Sequence, residues 1–348
     1  MYNVYGYDYT SKTEGRKRNL YKKIEVEELH MKKTEELSMK NEEKFLQKTG
    51  IVALAAVFCC LLWGSAFPSI KVGYQLFEIP SGDTAAQILF AGTRFTLAGI
   101  MVILFGSLIQ KKFLKPSKAA IPKVIKLSLL QTVLQYVFFY VGLAHTTGVK
   151  GSIITATNVF LSILVSALIF RLEKLNMKKI IGCIIGFAGV VIVNLSGGAD
   201  MSFHFLGDGF LVISALAYSF STVLIKIYGK SEDPVMLSGY QFFAGGLLMI
   251  LVGLCAGGRI QTVTGTGILL LLYMGFISAG AYTLWGILLK YNPVSKVTVF
   301  GFFNPVFGVI LSALILQEGT AFNGQSIFAL VLVCIGIIIV NWEKKIGQ

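Results

Sequence analysis

Charge is scarce in this sequence. Asp, Glu, Lys and Arg make up 14% of its 348 residues, against about 25% in a soluble domain. Much of that charge lies in residues 1–49, which hold 11 of the 31 Lys/Arg and 9 of the 18 Asp/Glu. No acidic residue stands in the middle of an apolar run, so the intramembrane carboxylate that proton or sodium coupling often uses is missing. Exchange or downhill efflux therefore stands beside proton-driven export. The five cysteines, Cys59, Cys60, Cys183, Cys255 and Cys334, show no CxxC or Cys/His spacing, which argues for packing and against a metal site. There is no GxxxxGKS/T, HExxH or GxSxG pattern, hence no motif for nucleotide hydrolysis, zinc proteolysis or a serine hydrolase. No cofactor, metal or catalytic residue is expected. A signal peptide is excluded because the polar start is too long and the first apolar run lacks a clear small-residue cleavage site.

Long apolar runs fill the remainder. The chain is 55% hydrophobic with a mean hydropathy of +0.71. Ten segments, at roughly 51–76, 86–109, 124–143, 151–170, 178–195, 207–228, 236–256, 266–289, 295–316 and 323–342, each have about the 20 residues that a helix needs to cross ~30 Å of hydrocarbon. Backbone groups in lipid must be satisfied internally, which selects helices. The expected fold class is an all-α membrane protein of ten transmembrane helices. Lysines cluster in the breaks after segments 2, 4, 6 and 8 and at the C-terminal end (Lys111, Lys112, Lys115, Lys118, Lys174, Lys230, Lys290 and Lys344 among them), whereas the other breaks carry only Lys150 and Arg259. The positive-inside rule then places both termini in the cytoplasm of a multi-pass cell-membrane protein. A net charge of +13 does not point to nucleic acid here, because the basic residues flank apolar runs. Residues 1–49 read as a cytoplasmic polar tail, either disordered or carrying an amphipathic surface helix over 24–46. Met31 and Met39 are alternative starts.

One stretch occurs twice. NVFLSILVSALI (Asn158 to Ile169), a polar break with Glu173, and GVVIVN (Gly189 to Asn194) recur as NPVFGVILSALI (Asn304 to Ile315), a break with Glu318, and GIIIVN (Gly336 to Asn341), at offsets of 146 and 147. Residues 50–195 and 207–342 are thus two copies of a five-helix unit. Five is odd, so the second copy enters the membrane from the other side. Such inverted repeats build many secondary transporters, with the substrate site near the midplane between the halves.

These residues resemble the drug/metabolite transporter superfamily, of the EamA type. The resemblance rests on Trp63-Gly64, Arg94-Phe95, the Glu-plus-small-residue junctions at Glu173 and Glu318, the GVVIVN and GIIIVN endings, and Asn304-Pro305. It covers about residues 50–342. It implies export or exchange of small metabolites such as amino acids, through a central cavity lined by both halves. The 49-residue tail is long for that family.

Candidate substrate contacts follow from spacing and polarity. Trp63, Phe67 and Lys71 share one face of segment 1, and Tyr218, Thr222 and Lys226 repeat that spacing 155 residues on. Either an aromatic-lined path has a cation towards each mouth, or the lysines snorkel. Pro68 is expected to bend segment 1 as a gate or as a fixed kink. Arg94, deep in segment 2, either contacts substrate or locks its helix; its repeat counterpart is Gln241. Asn158 and Asn304 are paired polar positions that either bind substrate or bond between helices. Gln131 and Gln135 in segment 3, and Tyr282 and Trp285 in segment 8, are further candidates for the cavity wall, while Tyr136 and Tyr140 read as packing and His145 as a solvated loop residue. Gly92, Gly99 and Gly106, with Gly182 and Gly186, read as close helix packing. Expected partners are a small-molecule substrate and the lipid bilayer, with the chain a monomer or homodimer. The competing readings are a non-transporting sensor or scaffold and an intramembrane enzyme.

Overall fold

The structure is a computed structural model that describes residues 43–80, 82–145, 148–195, 203–316 and 324–342. It divides into two units, Met1–Lys48 and Thr49–Gln348. Of the first, residues 43–47 form a helical turn in which Gln47 donates to Glu43 at 3.1 Å. The remainder of the 24–46 surface helix lies outside the described residues.

In the second unit every regular element among the described residues is helical. In chain order they are α1 (Thr49–Leu76), α2 (Thr84–Ile109), α3 (Ile121–Leu127), a π-helical stretch Ser128–Leu134, α4 (Gln135–Ala144), α5 (Gly148–Leu164) with a π-helical end Val165–Ile169, and α6 (Met177–Leu195). A π-helical turn Phe205–Gly209 then leads into α7 (Phe210–Tyr228), followed by α8 (Pro234–Cys255), α9 (Gly265–Tyr291), α10 (Val294–Thr298), a 3₁₀ turn Val299–Phe302, α11 (Phe303–Leu316) and α12 (Gly324–Asn341). Local chemistry fixes several starts. Asp83 accepts from the Ala86 amide (2.8 Å) ahead of α2, Asp233 from Val235 (2.8 Å) ahead of α8, and Thr264 from Gly267 (3.0 Å) ahead of α9, each satisfying an otherwise orphaned helix-terminal amide.

Ten spans of about equal length were expected. Among the described residues six helices are long and apolar enough to cross a membrane: α1, α2, Ile121–Leu143, Phe205–Tyr228, α8 and α9. The other four segments are shorter or polar at one end. Segment 9 is broken into α10, the 3₁₀ turn and α11, where Pro305 takes a first-turn position that needs no amide donor. α6 opens on Lys178 and Lys179. α1, by contrast, runs through Pro68 as one helix.

Packing is organised around α2 and α8. A Cβ added at Gly99 would lie 2.4 Å from the Phe243 amide nitrogen, and one at Gly92 would lie 2.6 Å from that of Ile250. Hydrogen at both positions is therefore what lets the two backbones touch. Rising numbers in α2 meet falling numbers in α8, so the helices are antiparallel. α6 and α12 cross the same way: Gly182 meets Gly336 and Val340, and Lys178 Nζ donates to the Trp342 carbonyl at 3.3 Å. Around these pairs α1 packs on α9 and α11, and α7 packs on α4 and α5.

Candidate functional site

Where α1, α2, α4, α5, α7, α9 and α11 converge they line a cavity of about 130 Å³. One wall is aromatic. Trp63 meets Tyr282 edge-on at 5.0 Å and Trp285 at 4.9 Å. The Tyr136 and Tyr282 hydroxyls bond to each other at 2.6 Å. Phe95 stacks on Phe242 at 5.5 Å behind them.

Arg94 reaches this cavity and is 3% exposed. Its Nε and Nη2 both donate to Ser278 Oγ on α9, at 3.1 and 2.9 Å, and its guanidinium lies 5.1 Å from the centre of the Phe95 ring. Among the described residues it meets no carboxylate; the ion pairs described are Lys123–Glu232 and Lys179–Glu173. The cavity wall thus presents a cation held by a hydroxyl and an aromatic face, with capacity left to bind an anionic or acceptor group.

Four further lining groups leave a buried polar atom without a hydrogen-bond partner: Trp63 Nε1, Gln135 Oε1, Asn158 Oδ1 and Asn304 Oδ1. Each such atom costs about 1–3 kcal/mol if nothing engages it, so the cavity is lined by groups with hydrogen-bonding capacity to spare. Three are acceptors and one is a donor.

Of the residues expected from sequence, Trp63, Arg94, Gln135, Asn158, Tyr218, Tyr282 and Asn304 line the cavity. Trp285 and Gln131 are buried beside it, at 2% and 1% exposure, and line no part of it. Lys71 is exposed, one residue past the lining Ile70. The side chain of Phe67 lies outside the described residues. Lys226 donates to the Leu289 carbonyl at 3.1 Å and to that of Asn292, which fits the snorkelling alternative. Tyr136, read from sequence as packing, lines the cavity with Phe139, Ser214 and Thr155. The offset of 146 that pairs it with Tyr282 could have found it. Among the described residues no cluster of three or more His, Cys, Asp or Glu could hold a metal.

The EamA-like transporter family profile matches this chain twice, over residues 50–195 and 205–342. The chain belongs to the EamA-like transporter family. It is similar to the uncharacterized transporter YetK of Bacillus subtilis, 27% identical over 311 residues, covering 86% of this chain and 88% of that one. An uncharacterized transporter of Acidianus ambivalens is 27% identical over 265 residues, covering 75% of this chain and 96% of the relative. A solved crystal structure shares the fold at a TM-score of 0.67 and 18% identity, over 83% of this chain and 97% of that one. Family and apolar helices together make this a multi-pass membrane protein of a transporter family.

Proposed function

We propose that this EamA-family protein is a secondary transporter of ten membrane spans, built as two inverted five-helix repeats, that exports or exchanges a small metabolite by alternating access. The observation that carries this reading is that side-chain interactions repeat when each residue is exchanged for its counterpart, at offsets of 147 in segment 2, 146 in segment 3 and 155 in segment 1. Arg94 bonded to Ser278 corresponds to Gln241 bonded to Thr132 at 3.0 Å. Cys59 Sγ on the Ala281 carbonyl (3.4 Å) corresponds to Ser214 Oγ on the Gln135 carbonyl (2.8 Å). Phe95–Phe242 and Tyr136–Tyr282 correspond to themselves, as pairs on a two-fold axis must. The repeat-equivalent helices α2 and α8 are antiparallel, and so are α6 and α12. An in-plane axis gives that direction; an axis along the membrane normal would make equivalent helices parallel. The two separate family matches support the same division.

The cavity chemistry supports an amphipathic, amino-acid-like solute. Its N–H groups would meet Asn158, Asn304 and Gln135, an anionic group would meet Arg94 and the Trp63 indole, and an apolar body would lie on Tyr218 and Tyr282. Trp285 braces Trp63, Gln131 stands behind Gln135, and Phe67 and Lys71 belong to the path on α1. The lysine-rich ends of the helices support both termini being cytoplasmic in the cell membrane. The test is a thermal-shift screen of purified protein against amino acids and related metabolites, followed by counterflow in proteoliposomes. A stabilising solute should exchange across the bilayer. Failure of every such solute to exchange, or labelling of the two termini on opposite faces, would refute the reading.

A further inference from the structure

The cavity is off-centre with respect to the repeat axis. Ala66 and Ile70 of α1 line it, whereas their counterparts Ser221 and Ile225 of α7 do not. Leu211 and Ser214 of α7 line it, whereas their counterparts Ala56 and Cys59 of α1 are fully buried. Solvent space has therefore shifted away from the end of the bundle that carries Lys174, Lys230, Lys290 and Lys296. Towards that end the packing is closed: Cys59 and Cys60 are at 0% exposure, Val297 at 0% and Phe300 at 5%. Cys60 Sγ donates to the Phe300 carbonyl at 3.2 Å, which joins α1 to the 3₁₀ break of segment 9.

Glu173 clamps the far side of that same break. This loop carboxylate of the first half accepts from Ser166 Oγ (2.9 Å), from Lys179 Nζ (2.5 Å), and across to the second half from the Ser295 amide (3.1 Å) and the Ser295 hydroxyl. Its side chain is 9% exposed and that of Lys179 is 13% exposed. Ser295 is the second residue of α10, the five-residue helix directly before the 3₁₀ turn that leads to the cavity residue Asn304. Other ties between halves at this end, Gln110–Asp233, Lys123–Glu232 and Lys178 to the Trp342 carbonyl, do not touch the broken segment 9. Glu173 grips the one broken segment instead. By sequence, the counterpart of Glu173 is Glu318 and that of Lys179 is Ser326, so only the lysine-rich end carries a cation at this position.

We propose that Glu173, Lys179 and Ser295 form the latch of the gate at the lysine-rich end, holding the α10 break shut at rest. The latch rests on the alternating-access reading above, and its test needs no substrate. A variant with Cys60 as sole cysteine is placed in nanodiscs and its labelling by a membrane-impermeant cationic methanethiosulfonate is timed. With the latch intact Cys60 should react slowly. Glu173→Gln should raise the rate about tenfold, the scale expected for loss of a charge-assisted hydrogen bond. Ser295→Ala, which keeps the Glu173–Lys179 pair, should raise it by a smaller factor with the protein still melting cooperatively. Unchanged labelling in folded Glu173→Gln and Ser295→Ala protein would overturn the latch and leave the transport reading untouched. Absence of counterflow for any solute would refute transport alone.

Discussion

Replacing Arg94 by Gln gives the residue that the second repeat carries at position 241, and it separates two roles for the guanidinium. As a structural lock, the arginine contributes its hydrogen bonds to Ser278, and a bond from a charged donor is worth about 1.5–3 kcal/mol. Against this, a charge at mid-helix costs roughly 2.5–3.5 kcal/mol on insertion scales. The two terms nearly cancel, and glutamine can still bond to Ser278, as Gln241 does to Thr132. Stability should therefore change by no more than about 1 kcal/mol, or a few degrees in Tm. Substrate binding has no such compensation. Losing a charge-assisted contact of about 1.5–3 kcal/mol to an anionic group should raise KM about 10- to 100-fold. Thermal unfolding of purified protein and concentration-dependent counterflow in proteoliposomes measure the two quantities. Arg94→Lys adds a control, since it keeps the charge and loses the planar fork that meets Ser278 twice. A fall in Tm of more than about 6 °C with KM unchanged would make Arg94 a lock and remove it from the binding site.

Other expectations follow from the same geometry. Trp63→Ala and Asn304→Ala should each lower transport while leaving folded, monodisperse protein; unchanged flux in both would dissolve the proposed site. Gly99→Ala forces a Cβ to 2.4 Å from the Phe243 amide nitrogen, and should cost about 1–3 kcal/mol as overpacking against backbone, whereas Gly50→Ala, with nothing within 4 Å, should leave Tm unchanged. For Glu173, burial alone would raise the pKa, but hydrogen bonds from Lys179 and Ser295 outweigh it and hold the carboxyl below its ordinary value of 4.5. A depressed carboxyl stabilises the fold above the unfolded-state pKa and loses that contribution as pH falls through the folded one. The Tm gap between wild type and Glu173→Gln should accordingly be flat from about pH 7 to pH 5 and shrink below about pH 4.5; a gap that widens on acidification would contradict it.

Hydropathy made the all-helical class legible, because it is carried by residue identity along the chain; the Asn158/Asn304 block is readable in the same way and supports the proposed pairing of halves. Pro305 points from sequence to a disruption of segment 9 beside Asn304, but the form of the break was harder to foresee. The place of Pro305 in the first turn of α11 depends on α10 stopping at Thr298, and Gly301 sits at the close crossing with Val159 of α5. The cavity wall was legible where a polar residue interrupts an apolar run, as at Arg94, Asn158 and Asn304. It was not legible at Tyr136 and Ser214, whose types are ordinary in a packed bundle and whose position depends on the crossing of α4 with α7. Gln131 and Gln135 show the limit of periodicity. Their i, i+4 spacing puts both on one face of a regular α-helix, yet the π-helical stretch Ser128–Leu134 that runs up to Gln135 changes the residues per turn, and only Gln135 lines the cavity.

A copied and inverted unit would by itself build a cavity centred on its axis with two equivalent mouths. On the proposed inverted-repeat architecture, position-by-position differences between the copies would break that equivalence, so they are the residues through which direction and chemistry would be specified. Arg94 against Gln241 puts one charge on one side of the Tyr136–Tyr282 pair. Trp63 against Tyr218 and Phe139 against Trp285 give the two aromatic walls different shapes and hydrogen-bonding capacities, and Lys179 against Ser326 gives one end an ion pair that the other cannot form. Substitutions that make one repeat resemble the other at these positions should therefore alter substrate choice and resting conformation. Equal exchanges at the axis itself, such as Phe95 with Phe242, keep the symmetry and should alter only stability. Tyr136→Phe and Tyr282→Phe test this directly: each removes one member of the same 2.6 Å bond, and Tyr282→Phe also loses the Gln135 side chain as a partner, so Tyr282→Phe should lower Tm at least as much, while a difference in KM between them measures how unequally the solute uses the two halves.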